Sequence, residues 1–168
     1  MTSGPNWATG EGLIRVHDPS EVDAAFERGN GHLGTAVIGL AFNCSLEEAS
    51  PRIVRAMRLS DIDQRVFAFT AAGVAARLNG ALTPELYAAL RAEGPGRRSI
   101  AENAIDDTLD YVPFRYLPLW LKWWKVESRI RDKLDGSGSR AFAPRLGASD
   151  QGEARGGTRS VVEAQAAT

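Results

Sequence analysis

The sequence predicts an all-α protein: a short α-solenoid of about three helix pairs, followed by a C-terminal aromatic helix. Three observations carry this expectation. First, Asp18-Pro19, Ser50-Pro51 and Thr83-Pro84 each set a capping oxygen directly before a proline, and the prolines stand 32 and 33 residues apart. A side-chain acceptor followed by proline is a preferred helix start, because the first turn has no use for the missing N–H. Second, each start leads into a short helical pattern, a turn and a longer apolar helix, and a two-helix unit recurring at this period marks stacked helical repeats. Third, no run alternates apolar and polar residues over a useful length, as a half-buried strand requires.

The first pair reads as PSEVDAAFER, a GNG turn and HLGTAVIGLAFN. The second reads as PRIVRAMRL, a turn at Ser60-Asp61, and IDQRVFAFTAAGVAARL up to Asn79-Gly80. Ser45 and Glu48 form an alternative start of capping-box type. That start puts Pro51 inside the helix, so a short turn is expected there before the helix proper. The third pair is PELYAALRAE, the break GPG and RRSIAENAIDDTLDYV. Helix 62–78 is apolar nearly all round, and such a helix is expected to be covered on both sides. Residues 1–12 are polar and Gly-rich, and residues 135–168 hold few large apolar side chains. Both stretches are expected to be disordered, because they bury too little to offset the entropy of ordering. The domain is then 13–134, with its terminal aromatic helix at 116–134.

The stretch LSDIDQRVFAFTAAGVAARLNG resembles the signature of HEAT repeats, units of the armadillo-type fold. Asp61 and Arg65 match the turn acid and helix Arg of that family, and Ala71, Ala72 and Gly73 match its small-residue segment; Gln64 stands where the family prefers Val. More broadly, residues 18–112 look like short bacterial HEAT-like proteins, some of them immunity- or antitoxin-like. The resemblance implies that Asp61 and Arg65 tie successive units together, and that the chain makes binding surfaces rather than an active site.

Composition narrows the functions. A net charge of −1 provides no global field to draw in nucleic acid or anionic lipid, so either partner would need a local patch. The N-terminus has neither the basic start nor the apolar run of a signal peptide, and with the single cysteine this makes the cytoplasm the expected location. Arg outnumbers Lys seventeen to three beside abundant Ala and Gly, a bias associated with GC-rich bacterial genomes. Catalysis is not expected, nor is a cofactor or a metal. His17 and His32 are isolated helix-start residues, and one Cys with two separate His does not make a zinc site. Cys44 precedes a helix start, where a thiolate would gain from the helix dipole, but no partner for nucleophilic chemistry accompanies it.

Two surfaces remain. Glu102, Asp106 and Asp110 follow one another at helical spacing, with Asp107 beside them. They make an acidic face for a basic partner such as a nuclease toxin, or an ordinary solvated face. The second is YVPFRYLPLWLKWW, Tyr111 to Trp124, with three of the four tryptophans. Plotted at 100° per residue, Tyr116, Leu119, Trp123, Val126, Ile130 and Leu134 fall on one stripe, expected to be the core face that caps the helix stack. Leu117, Trp120, Leu121 and Trp124, with Lys122, Lys125 and Arg115, are then the excess, expected to meet a partner protein. Residues 114–134 carry a net charge of +4. The basic residues either face the acidic stripe of helix 98–112 or serve docking. Contact with a membrane surface through the Trp-rich helix is the alternative, and nucleic acid is disfavoured for want of a broad basic groove.

Overall fold

A computed structural model describes residues 5–95 and 99–138, with side chains as far as Ile130. Among these residues there are seven α-helices and no strand: α1 (Pro19–Arg28), α2 (Leu33–Asn43), α3 (Leu46–Ala56), α4 (Ile62–Asn79), α5 (Pro84–Glu93), α6 (Glu102–Tyr111) and α7 (Leu119–Gly138). Short 3-10 turns at Leu13–Arg15 and Phe114–Tyr116 lead into α1 and α7.

The helices form two layers. α4 packs between α2 and α6, while α3 packs between α1 and α5 and also covers α2 and α4. Local chemistry sets most boundaries. Asp18, Asp61 and Thr83 accept backbone N–H groups of the first turns of α1, α4 and α5, which satisfies donors that a helix start leaves open. Gly29 and Gly80 end α1 and α4 with φ of 65° and 60°, a left-handed conformation that glycine adopts without a Cβ clash.

Two glycines let α2 sit tightly against its neighbours. A Cβ at Gly34 would overlap the carbonyl oxygen of Gln64 on α4, and one at Gly39 would overlap that of Leu13. The core is otherwise aliphatic and Ala-rich, with Leu13, Leu40, Ile53, Leu86, Leu90 and Ile105 sealed from water. The buried Thr108 hydroxyl donates to Ala104 O at 2.7 Å, and no described buried side-chain polar atom lacks a partner.

Among the described residues, four ion pairs join one helix to another at sequence separations of 28 to 30 residues. They are Arg52–Asp23, Arg55–Glu27, Arg65–Glu93 and Arg77–Asp107. Partly exposed pairs of this kind contribute about 0–1 kcal/mol each, so their main effect is to set helix register.

Three expectations are corrected. The second unit does not start at Pro51. Ser45 and Glu48 form a complete capping box, and α3 runs through Pro51. The cap and the burial of Ala49, Ile53 and Val54 outweigh the one backbone hydrogen bond that Pro51 lacks. α4 is not covered all round: Ala68, Phe69, Ala71, Ala72, Ala75 and Ala76 face inward, while Ile62, Val66, Phe67 and Leu78 stay exposed. Its apolar residues divide between a small-residue inner face and a large-residue outer one. Finally, the N-terminal dozen is structured from Pro5 on. Asn6 N donates to Glu11 O at 2.9 Å, Gly10 N donates to Asn6 O at 2.8 Å, and Trp7 packs against the core. Of the expected tail, Asp135–Gly138 continue α7, and 139–168 lie outside the described residues.

Candidate interaction surfaces

The aromatic segment enters α7 through Pro113, the 3-10 turn and Pro118. This fixes the rotation of the helix about its axis, and the rotation is opposite to the one expected. Leu117 and Leu121 are buried, and Trp120 and Trp124 lie half-buried against the core. They form the inner face: Leu117 and Leu121 are sealed against the core, while Trp120 and Trp124 keep part of their surface, rather than all four standing on an outer face as expected. The stripe expected to be core faces solvent: Leu119 is 75% exposed and Trp123 74%, and Tyr116, Val126 and Ile130 are exposed as well. Leu134 lies where side chains are not described. The physical reason is the length of the contact. Among the residues whose side chains are described, the inner quartet meets the body over the first two turns of α7, while the stripe runs on along the helix.

The cations of this region turn back on the chain. Lys125 Nζ donates to the carbonyl of Leu109, one of the acceptors left open at the C-terminus of α6, where a positive charge also suits the helix dipole. Lys122 Nζ donates to Arg115 O at 3.3 Å and stands over the Phe114 ring, while the Arg115 guanidinium stacks 4.6 Å from the Tyr116 centroid. Neither lysine faces a carboxylate of the acidic stripe in these contacts, contrary to one expectation.

The acidic face of α6 is present. Asp106 and Asp110 are exposed and Glu102 half-buried. Although the residue keeps much of its surface, partial desolvation of the Asp106 carboxyl, and then the neighbouring carboxylates of Glu102, Asp110 and Asp107, raise it above its ordinary value. Asp107 is drawn off to Arg77 at 2.6 Å, over Gly73. Asp61 acts as a helix cap. Arg65 bridges Met57 O at 3.2 Å and Glu93 Oε2 at 2.7 Å, so it links α4 to the following helix. Gln64 ties α4 to the start of α2, where its Oε1 accepts from Gly34 N at 2.8 Å.

The remaining candidates for chemistry are not brought together. His17 Nδ1 lies 3.2 Å from Arg15 O, and His32 starts α2 with its ring against Gly10. Cys44 Sγ donates to His17 O at 3.3 Å, and burial pushes its thiol up, away from thiolate character. Among the described residues no group of His, Cys, Asp and Glu is arranged to hold a metal ion, and no helix is long and apolar enough to cross a membrane.

One feature has no signature in the sequence. A groove of about 870 Å³ runs between α3 and α5, with Phe69 of α4 as part of its lining. It opens because α5 presents Ala88, Ala89 and Ala92 toward it, and small side chains leave the space between two helices unfilled. On the far side of α5 a second cleft is lined by Tyr87, Arg91, Tyr116, Pro118 and Trp120. The chain has no significant match among protein-family models, curated proteins or solved structures.

Proposed function

We propose that this chain is a non-catalytic binding protein that docks another protein against the outer face of α7. The observation that carries this reading is the exposure of Leu119, Trp123, Val126 and Ile130, a continuous apolar ridge on one helix. Exposed large apolar residues are ordinary when scattered, but a contiguous stripe on one helix face has the make-up of an interface. The acidic face of α6 offers a second, electrostatic contact to a basic partner. With the resemblance to HEAT-type repeats, this favours an immunity- or antitoxin-like role in the bacterial cytoplasm, in which the bound chain covers the working surface of a toxin.

Affinity capture from the native host with the wild type and with Leu119→Ala/Trp123→Ala tests it. A protein retained by the wild type and lost from the variant is the expected result; identical captures by both would overturn the reading. A membrane surface is the second reading, because Lys122, Arg115 and Arg129 flank the ridge as cations flank interfacial helices. Flotation of wild type, but not of the variant, with anionic vesicles would establish it instead.

A further inference from the structure

The molecule displays two apolar surfaces of opposite shape. One is the α7 ridge, a single helix with anchors at Leu119, Trp123, Val126 and Ile130, spaced i, i+4, i+7 and i+11. The other is the groove between α3 and α5, walled by Ala88 and Ala92, with the nearly buried Val54, Met57 and Phe69 at its floor. Amphipathic helices dock into apolar grooves through anchors at this spacing.

Their charges are also opposite. Glu47 and Glu85, exposed in the first turns of α3 and α5, stand at the groove, together with Glu93, which is engaged by Arg65, and the single cation Arg58, which leaves the groove acidic on balance. Lys122 and Arg129 flank the ridge on one side and Glu127 stands on the other, which leaves it basic on balance. Opposed charge around matched apolar centres favours one register of association and repels others.

A chain cannot fill its own groove with its own ridge. α5 separates the groove from Tyr116, Pro118 and Trp120. Leu117 and Leu121 hold the inner side of α7 in the core, so the ridge points away from the body that carries it.

We infer that the groove between α3 and α5 receives the α7 ridge of a second copy of this chain. Each copy then offers one ridge and one groove, so the contact either closes reciprocally as a pair or continues from copy to copy. The ridge is the one on which the proposed function also rests, and self-association and capture of a foreign partner compete for it.

Sedimentation velocity of the full chain between about 10 µM and 1 mM tests the idea. Concentration-dependent association is expected, weakened about tenfold or more by Trp123→Ala. Glu47→Lys/Glu85→Lys places cations at the groove, and Lys122→Glu/Arg129→Glu places carboxylates beside the ridge. Each variant alone should lose association through like-charge repulsion. An equimolar mixture of the two should recover it, because every ridge then meets a groove of opposite charge. A wild type that stays monomeric throughout overturns the inference. So does a Glu47→Lys/Glu85→Lys variant that associates like wild type, which would indicate ridge-to-ridge pairing, or a mixture that fails to recover. None of these outcomes bears on capture of a foreign partner, so failure here and failure of the proposed function remain distinguishable.

Discussion

Leu121 and Trp123 are two residues apart on α7 and lie on opposite sides of it: Leu121 has no exposed surface, while Trp123 keeps 74% of its own. The larger aromatic faces water and the smaller aliphatic residue seals the core. This inversion separates the residues that hold α7 to the body from those it presents to solvent.

Leu121→Ala should destabilise the fold by about 2–5 kcal/mol, the cost of emptying a packed site. Trp123→Ala should change stability by about 0.5 kcal/mol or less, as exposed substitutions generally do. Urea unfolding of the two variants beside wild type measures both. A large loss with Trp123→Ala would mean that the ridge is covered within the chain.

Glycine substitutions should divide by what a methyl group would meet. At Gly34 it would meet the Gln64 backbone carbonyl on α4, so Gly34→Ala must push two helices apart and should cost about 1–3 kcal/mol. At Gly73 it would lie 2.5 Å from Asp107 Oδ2, the end of a side chain that can rotate. The loss of the Arg77 pair then opposes a gain in helix propensity of up to about 1 kcal/mol, and Gly73→Ala should be close to neutral in thermal melting.

Ser45→Ala should cost about 1 kcal/mol by opening the capping box of α3. It should also change the acid limb of the stability curve. The Ser45 hydroxyl and then its backbone N–H hold the Glu48 carboxyl below its ordinary 4.5, and the Ser20 hydroxyl and backbone N–H do the same for Asp18, below 3.8. Carboxylates depressed in the folded state contribute stability that is fully present above those values and lost as pH falls through the folded-state pKa. Stability measured from about pH 2 to pH 7 should therefore fall less steeply in acid for Ser45→Ala than for wild type.

Asp106 has the opposite sign. Its folded-state pKa is raised by burial and by neighbouring carboxylates, so its charged form costs stability as pH rises above its ordinary 3.8. Asp106→Asn should melt higher than wild type at about pH 7, with the difference vanishing below about pH 3.8. An unchanged difference across that range would mean that Asp106 does not titrate in this way.

Much of the architecture is legible because short-range chemistry announces itself. Asp18-Pro19 and Thr83-Pro84 mark the starts of α1 and α5, and Gly29 and Gly80 mark the ends of α1 and α4. The start of α3 is harder to read, because Pro51 and the Ser45–Glu48 box give competing local signals. One missing backbone bond is tolerated where a cap and three buried side chains compensate, and that burial is a tertiary fact. The groove leaves no trace, since an alanine at 88 or 92 records only a small side chain and not the distance to the next helix.

The sequence by itself determined that the chain is helical, where most helices begin and end, and which residues of α7 share a face. Only the tertiary structure decided which face is covered. Periodicity groups Leu119, Trp123, Val126 and Ile130 on one side and Leu117, Leu121 and Trp124 on another, but both groups are apolar, and hydrophobicity carries no direction. The choice was made by the geometry of the Pro113–Pro118 segment and by the tie from Lys125 to Leu109.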